Sequence, residues 1–187
     1  MDVQQELTKY ISKALSNDLP KKTEFKTRFH LLDTLVSILT GRLLPPGKKA
    51  FQFSKTQGGV KESTLIGSDV KVSAINAGFS NGMAAHANET DDSTTEGRFH
   101  PGCAIVPATL AVAEREKLGS EEIIKAIALG YDIGVRITTS LGYKTPKTSI
   151  FATHSIGPIF GCAASAGALL KLTHEQCNYL LSYTVQQ

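Results

Sequence analysis

The sequence predicts an all-α domain, a compact set of helices with at most a short β-hairpin near residues 62–72. Three observations carry that prediction. Apolar residues recur at helical spacing along most of the 187 residues. Long segments rich in Ala and Gly fill the second half. Strand-like patterning is confined to residues 62–66 and 70–72, on either side of the turn residues Gly67-Ser68-Asp69.

Taken in order, Leu7, Tyr10, Ile11 and Leu15 fall at i, i+3, i+4 and i+8 and mark a first amphipathic helix that stops at Leu19-Pro20. A second helix spans about 23–43 and carries Phe25, Phe29, Leu32, Val36 and Leu39 on one stripe. Pro45-Pro46-Gly47 ends it, and a short helix runs on to about Gln57 before the turn signal Gly58-Gly59. Three Ala/Gly-rich helices follow over 73–87, 105–118 and 157–172. Between the last two, a helix over 121–141 has Ile123, Ile127, Gly130, Gly134 and Ile137 along its buried side. A glycine inside a helix costs about 0.5–1 kcal/mol relative to alanine. The pairs Gly130/Gly134 and Gly157/Gly161, each one turn apart, therefore predict helices whose backbones approach closely. A capping box, Thr173 with Gln176, opens the last helix. Val185-Gln186-Gln187 contains no glycine, basic residue or proline to stop it, which predicts a chain that continues.

Composition excludes several classes. With 41% hydrophobic and 20% charged residues the chain is neither disordered nor low-complexity, and its 16 glycines follow no period. Twenty Lys+Arg against 17 Asp+Glu leave a net charge of only +3. The densest basic stretch, Lys21, Lys22, Lys26 and Arg28, reads as a solvated helix face and not as a nucleic-acid footprint. No apolar run approaches the roughly 20 residues of a membrane span, and the first six residues are polar and acidic, unlike a signal or transit peptide. Cys103, Cys162 and Cys177 lack any Cys-x-x-Cys pair, which argues against a disulfide framework and a zinc or iron–sulfur centre. The expectation is a soluble, cytoplasmic protein with neither nucleic acid nor membrane as partner.

The candidate chemistry lies between residues 81 and 104. An Ala-rich helix passes His86 and ends in the acidic cluster Glu89, Asp91, Asp92, followed by Ser93. Carboxylates this close repel one another, which raises at least one pKa if they are sheltered and suits proton transfer near neutral pH. His100-Pro101-Gly102 then opens the next helix, at an N-terminus whose dipole favours an anion. His154 stands in the same setting, before a Gly/Ala helix. Each residue also has a plainer reading. The acids serve as caps or solvated loop residues, His86 packs on the Ala-rich face, His154 caps its helix, and Cys103 is a small buried residue. His86, Glu89, Asp91 and His100 are potential metal ligands, yet their spacing matches no standard metal signature. Spacing alone leaves these readings open.

The runs 73–77, 81–82, 86–93, His100-Pro101-Gly102, 130–136 and 154–158 together resemble the MmgE/PrpD family, over nearly the whole chain and in the right order. The resemblance implies the N-terminal part of that family's helical domain, with a second, lid domain and a C-terminal return lying beyond Gln187. It implies lyase chemistry without metal or organic cofactor on a small polycarboxylate, namely dehydration or decarboxylation through a carbanion-like species, with epimerisation as the alternative. A homodimer is implied as well. The family's acidic loop reads Asp-aromatic-Asp-Asp-Thr, so Glu89 and Ser93 depart conservatively. The implied catalytic residues are His100, His154, Glu89, Asp91 and Asp92, with Ser93, His86 and Arg98 as substrate-binding groups; Lys144 and Lys147 are loop cations available to an anion. The family's catalytic lysines fall outside this sequence. A catalytically silent helical or dimerisation module and a metal-dependent hydrolase are the rival readings.

Overall fold

The computed structural model describes residues 2–142 and 152–186. Its helices are α1 (Val3–Lys13), α2 (Lys21–Gly41), α3 (Pro45–Thr56), α4 (Ala74–Ala85), α5 (Gly102–Arg115), α6 (Ser120–Ser140), α7 (Thr153–Leu169) and α8 (His174–Thr184). The two strands, β1 (Ser63–Thr64) and β2 (Lys71–Val72), form an antiparallel hairpin in which Ser63 faces Val72 and Thr64 faces Lys71. The all-α class and the hairpin therefore stand where the sequence put them. No described helix is long and apolar enough to cross a membrane.

Boundaries follow local chemistry. Asp2 caps α1 by accepting from the backbone N–H groups of Gln4 and Gln5. Pro45 and Pro46 occupy the first turn of α3, where their missing N–H groups cost nothing, so they open that helix as well as close the one before. The capping box at Thr173 and Gln176 is fully formed. Helix α7 starts one turn earlier than periodicity suggested, at Thr153, which places His154 inside its first turn.

Helices α6 and α7 form the closest pairing. A Cβ on Gly134 would stand 2.8 Å from the Gly157 carbonyl oxygen, and one on Gly161 would stand 2.7 Å from that of Gly130. Ser165 Oγ donates across the same crossing to the Ala126 carbonyl at 2.8 Å. The glycines thus remove side chains where two backbones touch. Behind this pair, Ile11, Leu129, Ile133, Ala164, Ala168, Cys177 and Leu181 tie α1 and α8 to α6 and α7 in one apolar cluster. A second cluster seats the hairpin on α4 and α5 through Leu65, Val72, Ala77 and Ala111. Buried Asn81 fastens that hairpin from α4, accepting from the Ile66 N–H and donating to the Thr64 carbonyl, each at 3.0 Å.

Helix α2 presents its apolar stripe to solvent. Such a stripe ordinarily faces a core, yet Phe25, Phe29, Leu32, Val36 and Leu39 are 63%, 57%, 57%, 53% and 46% exposed. The buried face carries Thr27, Thr34, Ser37, Ile38 and Gly41 instead. Its small side chains allow a close approach to α4, where a Cβ on Gly41 would overlap the Ala84 carbonyl. Packing distance, not hydrophobicity, decides which face of this helix turns inward.

Candidate active site

Residues 86–101 form a strap between α4 and α5. It leaves α4 at His86, passes Glu89 in a left-handed backbone conformation (φ 52°), and returns through Arg98 in another (φ 54°). An isolated bridge pairs Thr94 with Phe99. Phe99 is 1% exposed, and its ring fills the notch left by the glycines of α6 and α7: a Cβ on Gly157 would lie 2.7 Å from the ring, and one on Gly134 3.1 Å. Thr153 Oγ1, at the start of α7, donates to the Arg98 carbonyl at 2.8 Å. Those two anchors deliver the next residue, His100, to His154: the two rings stack with centroids 6.4 Å apart and planes 24° from parallel.

Asp91 sits behind this pair. Its side chain is fully buried, with His86 Nδ1 at 3.1 Å from one carboxylate oxygen and His100 Nδ1 at 3.4 Å from the other. The His86 and His100 rings lie 5.0 Å apart. Histidines 86, 100 and 154 therefore form a row, with one carboxylate shared by the first two. Cys103, one turn into α5, donates its thiol to the His100 carbonyl at 3.2 Å. Burial, reinforced by the charge of Asp91, pushes that thiol's pKa well above its ordinary value.

The neighbouring carboxylate is built differently. Asp92 Oδ1 accepts from the Gly102 N–H at 2.9 Å, and Oδ2 accepts from Tyr131 Oη at 2.8 Å. His30 Nδ1 stands 2.6 Å from the same Oδ2. Burial works to raise the Asp92 pKa, but the bonds from His30, Tyr131 and Gly102 together outweigh it and hold the group below its ordinary value. His30 is raised in turn, chiefly by its bond to Asp92. Gly102 has to be small here, because a Cβ would crowd Thr34, Asp92 and Tyr131 at once. The dipole end of α5, where the sequence suggested a bound anion, is thus already met at its first N–H by the chain's own carboxylate. On the far side of His30 and Tyr131 a cavity of about 420 Å³ opens between α2 and α6; neither His100 nor His154 lines it.

A profile of the MmgE/PrpD N-terminal domain matches residues 5–187. The chain belongs to the MmgE/PrpD family. It is 28% identical over 160 residues to the cis-aconitate decarboxylase of Homo sapiens, an alignment covering 83% of this chain and 33% of that protein. It is 22% identical over 193 residues to the cis-aconitate decarboxylase of Aspergillus terreus, covering 99% of this chain and 39% of that protein. The chain spans between a third and two-fifths of the length of these curated relatives.

Within this MmgE/PrpD domain the singled-out residues divide by environment. His86, Asp91, His100 and His154 are brought together. Asp92 is adjacent in sequence, but its carboxylate is committed to His30, Tyr131 and Gly102. Glu89, Ser93 and Arg98 are exposed along the strap. Among the described residues no hydrogen bond joins the Glu89 side chain to a histidine. Lys144 and Lys147 lie outside the described residues. Sequence reasoning missed His30, Tyr131 and Phe99. The first two lie 62 or fewer positions from Asp92 on other helices and share no local pattern with it. Phe99 alone left a signal, as a large aromatic directly before the His-Pro-Gly run.

Proposed function

We propose that the chain supplies part of the active site of a cofactor-independent lyase that dehydrates or decarboxylates a small di- or tricarboxylic acid through a carbanion-like intermediate. The observation that carries this reading is the stacked His100–His154 pair with buried Asp91 behind it. Proton transfer at a carbon beside a carboxylate needs an acid/base group held in one tautomer, and a second group that binds the charge developing on the substrate. Asp91, 3.4 Å from His100 Nδ1, places a negative charge behind that ring, leaving Nε2 as the atom that faces away from the carboxylate. His154, in the first turn of α7, meets a substrate carboxylate with its ring and with that helix's positive end. His86, Ser93 and Arg98 line the approach along the strap, and Glu89 adds charge at its rim. Asp92 acts through the backbone, holding the start of α5 and with it His100, and is a positioning residue.

The likeness to cis-aconitate decarboxylases favours decarboxylation within this class. Epimerisation reaches a carbanion-like species by removing a proton and returning it to the opposite face, whereas decarboxylation reaches it by breaking the bond to carbon dioxide and then delivers a proton to that carbon. Both need the same acid/base group beside a carboxylate site. The exposed α2 stripe supports assembly into a homodimer, and three free cysteines fit a reducing, cytoplasmic compartment. The test is a panel of di- and tricarboxylic acids offered to the intact protein, followed by carbon dioxide release, absorbance of an unsaturated product, and loss of optical activity. Turnover that falls by about 100-fold or more in His100→Ala is the expected outcome; undiminished turnover in that variant refutes the reading.

A further inference from the structure

The strap brings together three groups of different chemistry that the proton-transfer reading does not need as a set. One ligand atom each from His86, Asp91 and Cys103 lies within 4.8 Å of the other two. A tetrahedral ion with bonds of about 2.0–2.3 Å requires ligand atoms roughly 3.3–3.8 Å apart. The His86–Asp91 separation of 3.1 Å already lies close to that range, and the Cys103 thiol stands within 4.8 Å of both. His86 is 47% exposed and free to adjust, whereas Asp91 is fixed and fully buried, a charge that gains from a cation beside it. Beside them, His100 Nδ1 is buried without a hydrogen-bond partner and lies 3.4 Å from Asp91, so the carboxylate is not saturated by the neighbouring ring.

We propose that His86, Asp91 and Cys103, with solvent in the fourth position, bind a divalent transition-metal ion of the zinc class. An imidazole, a carboxylate and a thiolate form a nitrogen, oxygen and sulfur donor set that suits zinc, cobalt or cadmium and discriminates against magnesium and calcium. Binding releases one proton to solvent, from the Cys103 thiol, and forms the metal–sulfur bond in its place. The ion takes Asp91, the carboxylate behind His100, into its coordination shell. It therefore blocks the acid/base pair, and zinc is an inhibitor of the protein and not its cofactor. The inhibitory consequence rests on the lyase reading; the metal site does not.

The experiment titrates Co2+ into the intact protein under reducing conditions, with absorption as the readout. The expected result is one Co2+ per chain, visible bands of tetrahedral cobalt, and a near-ultraviolet sulfur-to-cobalt charge-transfer band. Cys103→Ser should abolish that last band, and His86→Ala should weaken binding about 10-fold or more, with circular dichroism confirming that each variant is folded. Absence of the charge-transfer band in the wild type, or its persistence in Cys103→Ser, overturns the site, the latter by pointing to Cys162 or Cys177. In chelator-treated buffer, zinc should inhibit turnover of whichever acid proves to be a substrate, and Cys103→Ser should raise the zinc concentration for half-inhibition about 10-fold. Unchanged or increased turnover with zinc overturns the inhibitory claim. If no acid is turned over, the lyase reading fails while the cobalt spectrum still decides the site.

Discussion

Two carboxylates adjacent in sequence, Asp91 and Asp92, point into different networks, and that division governs what substitutions should do. His100→Ala and His154→Ala remove groups outside the apolar clusters. They should lower kcat by about 100-fold or more while leaving the urea midpoint nearly unchanged. Tyr131→Phe removes a donor to the ionised Asp92 and should cost about 1.5–3 kcal/mol in chemical denaturation. The His30–Asp92 pair adds a pH dependence whose sign is fixed by the two shifts. The His30 pKa is raised on folding, so its stabilisation is complete below about pH 6.5 and is lost as pH rises through the folded value. The Asp92 pKa is lowered, so its stabilisation is complete above about pH 3.9 and is lost as pH falls through the folded value. The stability gap between wild type and His30→Ala should therefore be widest between about pH 4 and pH 6.5 and narrow on either side, as urea melts across pH will show. Little of this network was legible beforehand. The acidic loop and both His-bearing helix starts announced themselves in sequence, but His30 and Tyr131 belong to it through tertiary folding alone. Residue type and spacing gave no means of telling which of two consecutive aspartates faces the histidines.

At the scale of elements, periodicity located the helices because a 3.6-residue repeat is a local property. It located the α2 stripe but not the direction it faces, because burial is not local. The inward face of that helix is set by how closely α4 approaches, and Thr, Ser and Gly permit an approach that Phe and Leu would block. The glycine pairs were a better guide, since a glycine retained in a helix interior has a cost that only close packing explains. Gly157→Ala should be destabilising by about 1–3 kcal/mol, through collision with Phe99 and the α6–α7 contact. Phe99→Ala leaves a cavity in the same notch and should cost about 3–5 kcal/mol. Unlike a purely structural lesion, it should also reduce kcat at temperatures where the protein remains folded, because His100 follows Phe99 directly. Denaturation and steady-state kinetics on the same preparations check both statements.

For the whole molecule, the outward stripe of α2 is the main unbalanced feature. Five large apolar residues along one helix exceed what an isolated soluble surface ordinarily presents as a contiguous patch. Leu32→Asp or Val36→Asp should shift the protein toward monomer in light scattering, without loss of helical circular dichroism. A wild type that stays monomeric at high concentration would refute self-association through this face.

The bond from Gly102 N–H to Asp92 spans ten positions, and that from His86 to Asp91 only five. Loop closure costs grow with the logarithm of loop length, so these contacts are cheap to form early. His154 lies 54 positions beyond His100 and waits on the docking of α7 against α6. The clustered histidines should therefore be recruited in two stages, a local half built on α4 and α5 and a late arrival from α7. In folding kinetics this predicts that Asp91→Asn, whose partner His86 is only five positions away, chiefly slows refolding, whereas Gly157→Ala chiefly accelerates unfolding. Partly folded chains would then carry half of the proposed centre, closed around Asp91 but without the ring that faces His100.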